Sequence, residues 1–375
     1  MAKNILITGG AGFIGSNLSA KLVEKGYKVT IMDNLSPQIH GDQPSLNPLI
    51  RDKVTFIRGD VRNKADWKKA LNNQQIVVHL AAETGTGQSM YEIQKYVDVN
   101  INGTAIFLDY LVNNKHNIEK VIIASSRAIY GEGKYYSQKS GIIYPDERTE
   151  KDLLNGDFEL KCPITGQNLE VLPTDEDSKI HPTSVYGITK QNQEQMVLTV
   201  CKSINIPAIA FRYQNVYGPG QSLKNPYTGI LSIFSTQIRN GNNLHIFEDG
   251  KESRDFVYID DVVDATILGI ENNTITNEVF NVGSGVSTSV LDVAKKLKAL
   301  FDSNVEINIT GNFRLGDIRH NYADLSKVQK ILGYAPHYDF DKGIKIFTEW
   351  VMSQKLNADN YSKSIDEMKT KGLFK

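Results

Sequence analysis

A doubly wound α/β fold, with one parallel sheet and a smaller C-terminal substrate lobe, is predicted by three features of this 375-residue chain. The first is the stretch Ile5-Leu6-Ile7-Thr8-Gly9-Gly10-Ala11-Gly12-Phe13-Ile14-Gly15, an apolar strand running straight into a glycine-rich turn and then a helix. The second is the alternation of apolar, β-branched runs with helical patterns, which reads as a parallel sheet covered on both faces. The third is a change of texture after Tyr217-Gly218-Pro219-Gly220, where Gly, Pro and Asn cluster through Thr228-Gly229 and Gly241-Asn242-Asn243.

The elements follow in order. Asn4 to Thr8, Lys28 to Met32, Val54 to Ile57, Ile76 to Leu80, Val121 to Ala124 and Ala208 to Arg212 read as strands. Met90 to Asn113 and Ser184 to Ser203 read as helices. In the first turn Gly9 permits the tight bend, Gly12 allows backbone to approach a pyrophosphate, and Gly15 lets the helix pack on its strand. The helix amino terminus then holds the anion on its unpaired N–H groups. The second strand ends in Asp33, about 20 residues further on, where a carboxylate accepts ribose hydroxyls and repels a 2′-phosphate. The expected cofactor is therefore NAD rather than NADP. Residues 1–216 form the expected dinucleotide domain, with an insertion at 131–181 and a return at 255–272. Residues 217–254 and 273–375 form the lobe.

Composition sets limits. A net charge of −1 with no dense Lys/Arg run argues against nucleic acid. No apolar segment approaches the roughly 20 residues needed to cross a bilayer, so no membrane partner is expected. Met1-Ala2-Lys3 leads directly into a strand, leaving no room for a signal peptide, and a cytoplasmic location is expected. Two cysteines, Cys162 and Cys201, build neither a disulfide framework nor a four-cysteine zinc site. The insertion, about fifty residues with few periodic signals, is too long for a structureless loop. Its Cys162-Pro163-Ile164-Thr165-Gly166 resembles half a zinc knuckle without its partner, so a metal-free hairpin or lid is expected.

Tyr186-Gly187-Ile188-Thr189-Lys190 places a phenol and an ammonium four residues apart on one helix face. A nearby cation lowers a tyrosine pKa from about 10 and makes the phenol usable as a general base. Such a pair also occurs on solvated helices, and its weight comes from company.

That company resembles the extended short-chain dehydrogenase/reductase family, in its nucleotide-sugar epimerase and dehydratase branch, whose fold is of the Rossmann type. The resemblance rests on Thr8 to Gly15, Asp33, Gly59-Asp60-Val61, His79-Leu80-Ala81-Ala82, Ser125 to Gly131, Tyr186 to Lys190, Arg212 to Pro219 and Arg254-Asp255-Phe256-Val257. It implies that Ser126, Tyr186 and Lys190 are catalytic. It implies an NAD site of Gly9, Gly12, Phe13, Ile14, Gly15, Asp33, Asn34, Asp60, Val61, Leu80, Ala81, Ala82, Asn100, Tyr186 and Lys190. Asn215, Arg254, Arg314 and Asp317 match residues that hold the nucleotide diphosphate, Ser126 meets the sugar hydroxyl, and Glu83, Thr84 and Gln88 are candidates to face the hexose. Family members dimerise through two helices, here Met90 to Asn113 and Ser184 to Ser203, so a homodimer is expected.

Departures from the family pattern narrow the reaction. The 4,6-dehydratases carry an Asp-Glu pair where this chain has Arg127 and Ala128, and the decarboxylases a glutamate that is also missing. The 3,5-epimerases use a cysteine, but Cys162 lies in the insertion and Cys201 in a packed helix. Hydride transfer at sugar C4 survives, and with it a nucleotide-diphosphate-sugar 4-epimerase. The segment Ser125 to Gly133, the insertion and Gly85 to Met90 are most similar to the subgroup that converts dTDP-L-rhamnose to dTDP-6-deoxy-L-talose. UDP-glucose 4-epimerisation and an NAD(P)H-dependent 4-ketoreductase are the alternatives.

Overall fold

The computed structural model describes residues 3–41, 44–227, 229–359 and 361–375; Thr228, named above at the lobe boundary, lies outside them, as do Met1 and Ala2. Seven parallel strands form the main sheet: β1 (Asn4–Thr8), β2 (Lys28–Asp33), β3 (Thr55–Arg58), β4 (Ile76–His79), β5 (Lys120–Ser126), β6 (Ala208–Tyr213) and β7 (Asn277–Val282). Their order is β7-β6-β5-β4-β1-β2-β3. Chain order reverses between β1 and β4, which opens a crevice at the strand carboxyl ends. Alternate residues of β1 serve opposite faces. Ile5 and Ile7 pack in the core that includes Leu18 and Leu22, while Leu6 joins Trp67, Phe107 and Val197.

Helix α1 (Phe13–Glu24) follows the glycine turn. The expected helix over Met90 to Asn113 is broken: a turn at Ile93–Tyr96 passes through a π-helical segment, Val97–Asn102, into α2 (Gly103–Asn113). Two contacts account for the break. Thr104 Oγ1 donates to the Asn100 carbonyl at 2.6 Å, and a Cβ on Gly103 would lie 2.7 Å from Val61 Cγ2. Helix α3 (Val185–Ser203) starts one residue later than expected, with Ser184 accepting the Gly187 N–H at 3.1 Å as its cap.

The division of the chain needs two corrections. Strand β7 pairs with β6 throughout, so 277–282 belongs to the main sheet and not to the lobe. Ser253–Tyr258, expected to return to the first domain, pairs instead with Asn215–Tyr217, Ser287–Ser289 and His320–Asn321 in the lobe sheet. Helix α4 (Ile259–Glu271) does return, and packs on α1. Both strands are short and apolar, and pattern alone does not say which sheet edge receives them.

The insertion is an ordered hairpin. Tyr135–Ser137 pairs with Gly141–Ile143 and with Glu170–Val171, over a small core of Tyr135, Leu160, Cys162 and Leu169. Cys162 is buried there with its thiol 3.5 Å from Ser137 Oγ. At the end of the chain, α5 (Tyr361–Thr370) leads into a bridge between Phe374 and Arg314. No helix among the described residues is long and apolar enough to cross a membrane.

Candidate active site

One cavity of about 670 Å³ begins at the glycine turn, passes the carboxyl ends of β4 and β5, and ends in the lobe. Gly9, Gly12, Phe13, Ile14, Gly15, Asp33, Asn34, Val61, Leu80, Ala81 and Ala82 line its first part. No side chain caps α1, so its first-turn amides stay available to an anion. A Cβ on Gly9 would lie 2.8 Å from the Ala81 amide nitrogen, so the two loops meet there without room for a side chain. Asp33 accepts the Ala11 N–H at 3.1 Å and the Leu35 N–H at 2.9 Å, which ties it across the turn. A dinucleotide fits these residues.

Gly15 is the tightest of the three positions, since a Cβ would lie 2.3 Å from Gly9 O and 2.6 Å from Gly10 Cα. Gly15→Ala is therefore expected to open the turn at a cost of about 1–3 kcal/mol. Absorbance of the purified variant should show NAD lost, and an NAD content equal to wild type would refute this.

Three predicted ligands stand behind the wall. Asp60 is gripped by Arg62, with bonds of 2.7 and 2.9 Å, which lowers its carboxyl to about 2. It also accepts from Asn34 at 3.1 Å. Asn100 is fully buried, accepting the Glu83 N–H at 2.8 Å and donating to Thr189 Oγ1 at 2.9 Å, so it shapes the loop and does not border the cavity. Gln88 is buried too, bonded to Gln38 at 3.0 Å and to the Tyr96 hydroxyl at 3.3 Å. Short polar residues beside a strand end serve a ligand or the loop that carries it, and spacing does not separate the two.

Ser126, Tyr186 and Lys190 come together on the cavity wall. Ser126 ends β5 and accepts the Ala128 N–H at 3.1 Å. Burial raises the Tyr186 phenol, and the Ser126 hydroxyl and Arg127 guanidinium act against it. The cation expected to tune the tyrosine is thus Arg127 rather than Lys190. Lys190 donates to Gln193 at 2.7 Å, and burial lowers its ammonium to about 7 against the pull of Glu194. His79 is structural: fully buried, it sits 2.6 Å from Thr8 Oγ1 and 3.1 Å from Thr104 Oγ1, and burial with Lys190 nearby lowers it to about 3.

At the lobe end Arg254 and Arg314 clamp Asp317 at 3.0 and 2.6 Å. Burial pushes the Asp317 carboxyl up, but Arg314, Arg254, Arg127 and Arg148 together hold it far below the usual range. Three guanidiniums that line the cavity, at 127, 254 and 314, surround one carboxylate and leave a positive field suited to a diphosphate. Arg314 Nε and both ends of the Gln214 amide are buried without partners among the described residues. Asn215, Glu83 and Thr84 also line the cavity.

The sequence reading missed Gln214, Glu252 and the α5 residues Tyr361, Ser364 and Met368, all on the wall. Nothing local marks them, because they meet the site only through the fold. None of residues 131–181 lines the cavity, so the insertion is not its lid.

The sheet order and the open turn at α1 define a Rossmann-type dinucleotide-binding protein. The chain belongs to the NAD dependent epimerase/dehydratase family, which it matches over residues 5–150 and 162–283. It is 38% identical to the dTDP-L-rhamnose 4-epimerase of Burkholderia thailandensis, over 96% of this chain and 97% of that one. The UDP-glucose 4-epimerase of Thermotoga maritima, solved with UDP-glucose, superposes with a TM-score of 0.75 at 31% identity, covering 93% and 98% of the two chains. The UDP-glucuronic acid 4-epimerase of Bacillus cereus, solved with UDP-glucuronic acid and NAD, gives 0.74 at 27% identity, covering 93% and 99%.

Proposed function

We propose that this protein is a nucleotide-sugar 4-epimerase, an isomerase that takes dTDP-L-rhamnose to dTDP-6-deoxy-L-talose. The observation that carries the reading is the single cavity joining the glycine turn, the Ser126–Tyr186–Lys190 wall and the arginine cluster. The 38% relative supports the choice of sugar nucleotide.

NAD, when bound, supplies reversible hydride acceptance at sugar C4. Gly9, Gly12 and the first turn of α1 hold its pyrophosphate, Asp33 its adenosine ribose, and Lys190 its nicotinamide ribose. Tyr186 takes the proton of the 4-hydroxyl and later returns one to the 4-keto sugar, while Ser126 hydrogen-bonds that oxygen. Arg254, Arg314 and Asn215 anchor the diphosphate, so the sugar turns about a fixed end and presents its other face. Arg127 and Ala128 offer no acid–base pair for elimination, which leaves the reaction redox-neutral.

The test is proton NMR of dTDP-L-rhamnose with purified protein and no added cofactor. The 4-epimer's anomeric signal is expected to grow. An unchanged spectrum would sink this substrate, and turnover only of 4-keto sugars with added NADH or NADPH would replace the epimerase by a reductase.

The reading includes a cytoplasmic homodimer. Ile93, Val97 and Ile188 are exposed on the two candidate helical segments, by 52%, 40% and 45%. Light scattering is expected to give twice the 41.9 kDa chain mass, and Ile188→Glu to shift the mass toward the monomer. A monomeric wild type would refute the dimer.

A further inference from the structure

The C-terminal helix forms one wall of the sugar end. Met368 of α5 faces Gly87, where a Cβ would lie 3.2 Å from its sulfur, and Met90 and Tyr227 line the same corner. The corner adjoins the catalytic wall, because Ser89 Oγ accepts the Tyr186 N–H at 3.0 Å. It is also anchored at both ends. Glu367 accepts from Tyr91 at 3.1 Å and from the Tyr227 hydroxyl, and the Phe313–Leu315 backbone pairs with Leu373 and Lys375.

The hydroxyls around this corner are committed elsewhere. Tyr91 and Tyr227 serve Glu367, Tyr96 donates to the Gly85 carbonyl at 2.7 Å, Ser89 to Thr86 O at 2.6 Å, and Ser364 to Tyr361 O at 2.7 Å. Thr86, at the exposed rim, has no side-chain partner among the described residues. A hydroxymethyl group placed against Met368 would lose its water without regaining a bond, and a carboxylate there would also face Glu367. A methyl group loses nothing.

We propose that Met368, with Gly87 and Met90, is the element that selects the sugar's C6 substituent and favours a 6-deoxyhexose. This rests on the nucleotide-sugar reading above and names the residue within it that discriminates.

The test uses the purified holoenzyme and two sugars that differ only at C6, dTDP-D-fucose and dTDP-D-galactose, with Kd measured by calorimetry. Wild type is expected to bind the fucose member about tenfold to a hundredfold more tightly. Met368→Ser should bring the ratio toward one with NAD content retained, while Met352→Ser, exposed on a distant helix, should keep it. Equal binding by wild type, or an unchanged ratio in a folded Met368→Ser, overturns this proposal and leaves the epimerase reading standing. A preference for galactose would assign the corner to the Thr86 hydroxyl and overturn it likewise. Failure to bind either sugar would overturn it together with the nucleotide-sugar reading. The wild-type comparison decides the matter even if Met368→Ser fails to fold.

Discussion

Tyr186→Phe is expected to lower epimerisation by about 10²–10⁴-fold while leaving NAD content and the thermal midpoint near those of wild type. The change removes one oxygen from a half-buried wall residue, and no hydrogen bond that joins structural elements depends on it. What disappears is the group that exchanges the 4-hydroxyl proton. Turnover within tenfold of wild type would remove Tyr186 from the chemistry. A pH profile adds a second readout. Burial raises the Tyr186 phenol, with Ser126 and Arg127 as the opposing influences. Arg127→Met deletes a cation that favours the phenolate, so the rising limb of the rate profile should move to higher pH. An unmoved limb would show that Arg127 has no influence on the base.

Arg319→Met is expected to cost about 3–5 kcal/mol, because it leaves buried carboxylates without their cation. At about 2.1 cal/mol/K of unfolding entropy per residue, this lowers the melting temperature by about 4–6 °C. Arg319 is fully buried and ties three segments together. Its guanidinium reaches Glu159 of the insertion at 2.5 Å and Glu248 and Asp249 of the lobe at 2.8 Å each. Its backbone N–H goes to Glu132 at 2.7 Å. The insertion should therefore loosen first, and limited proteolysis should cut within 131–181 in the variant. An unaltered melting temperature and cleavage pattern would show that the hairpin is held by other contacts. The junction also predicts an acid response. His320 and Arg319 lower Glu159 to about 2, against burial. Its stabilisation is present above the unfolded carboxyl pKa of about 4.3 and is lost as pH falls toward 2. The acid limb should be shallower in Arg319→Met.

The parts of this protein that could be read along the chain are those built by neighbours in sequence. Six of the seven sheet strands announce themselves as β-branched runs, and the glycine turn needs only Gly9, Gly12 and Gly15 in register. Asp33 and the Ser126 and Tyr186 segments follow from strand ends and helix starts, where local spacing places side chains. The rest depends on approach between distant segments. Strand β7 carries the same apolar signal whichever edge it joins, and its pairing is settled by where α4 delivers it. Asp60, Gln88 and Asn100 have the residue types of ligands, but Arg62, Gln38 and the Glu83 backbone claim them first. The cations at 127, 254 and 314 become one field only when the lobe folds over the sheet. Met368 reaches Gly87 across most of the chain's length. Periodicity and turn chemistry act over a few residues, whereas burial, ion pairing and the outline of a cavity are properties of groups that meet only after the chain has closed on itself.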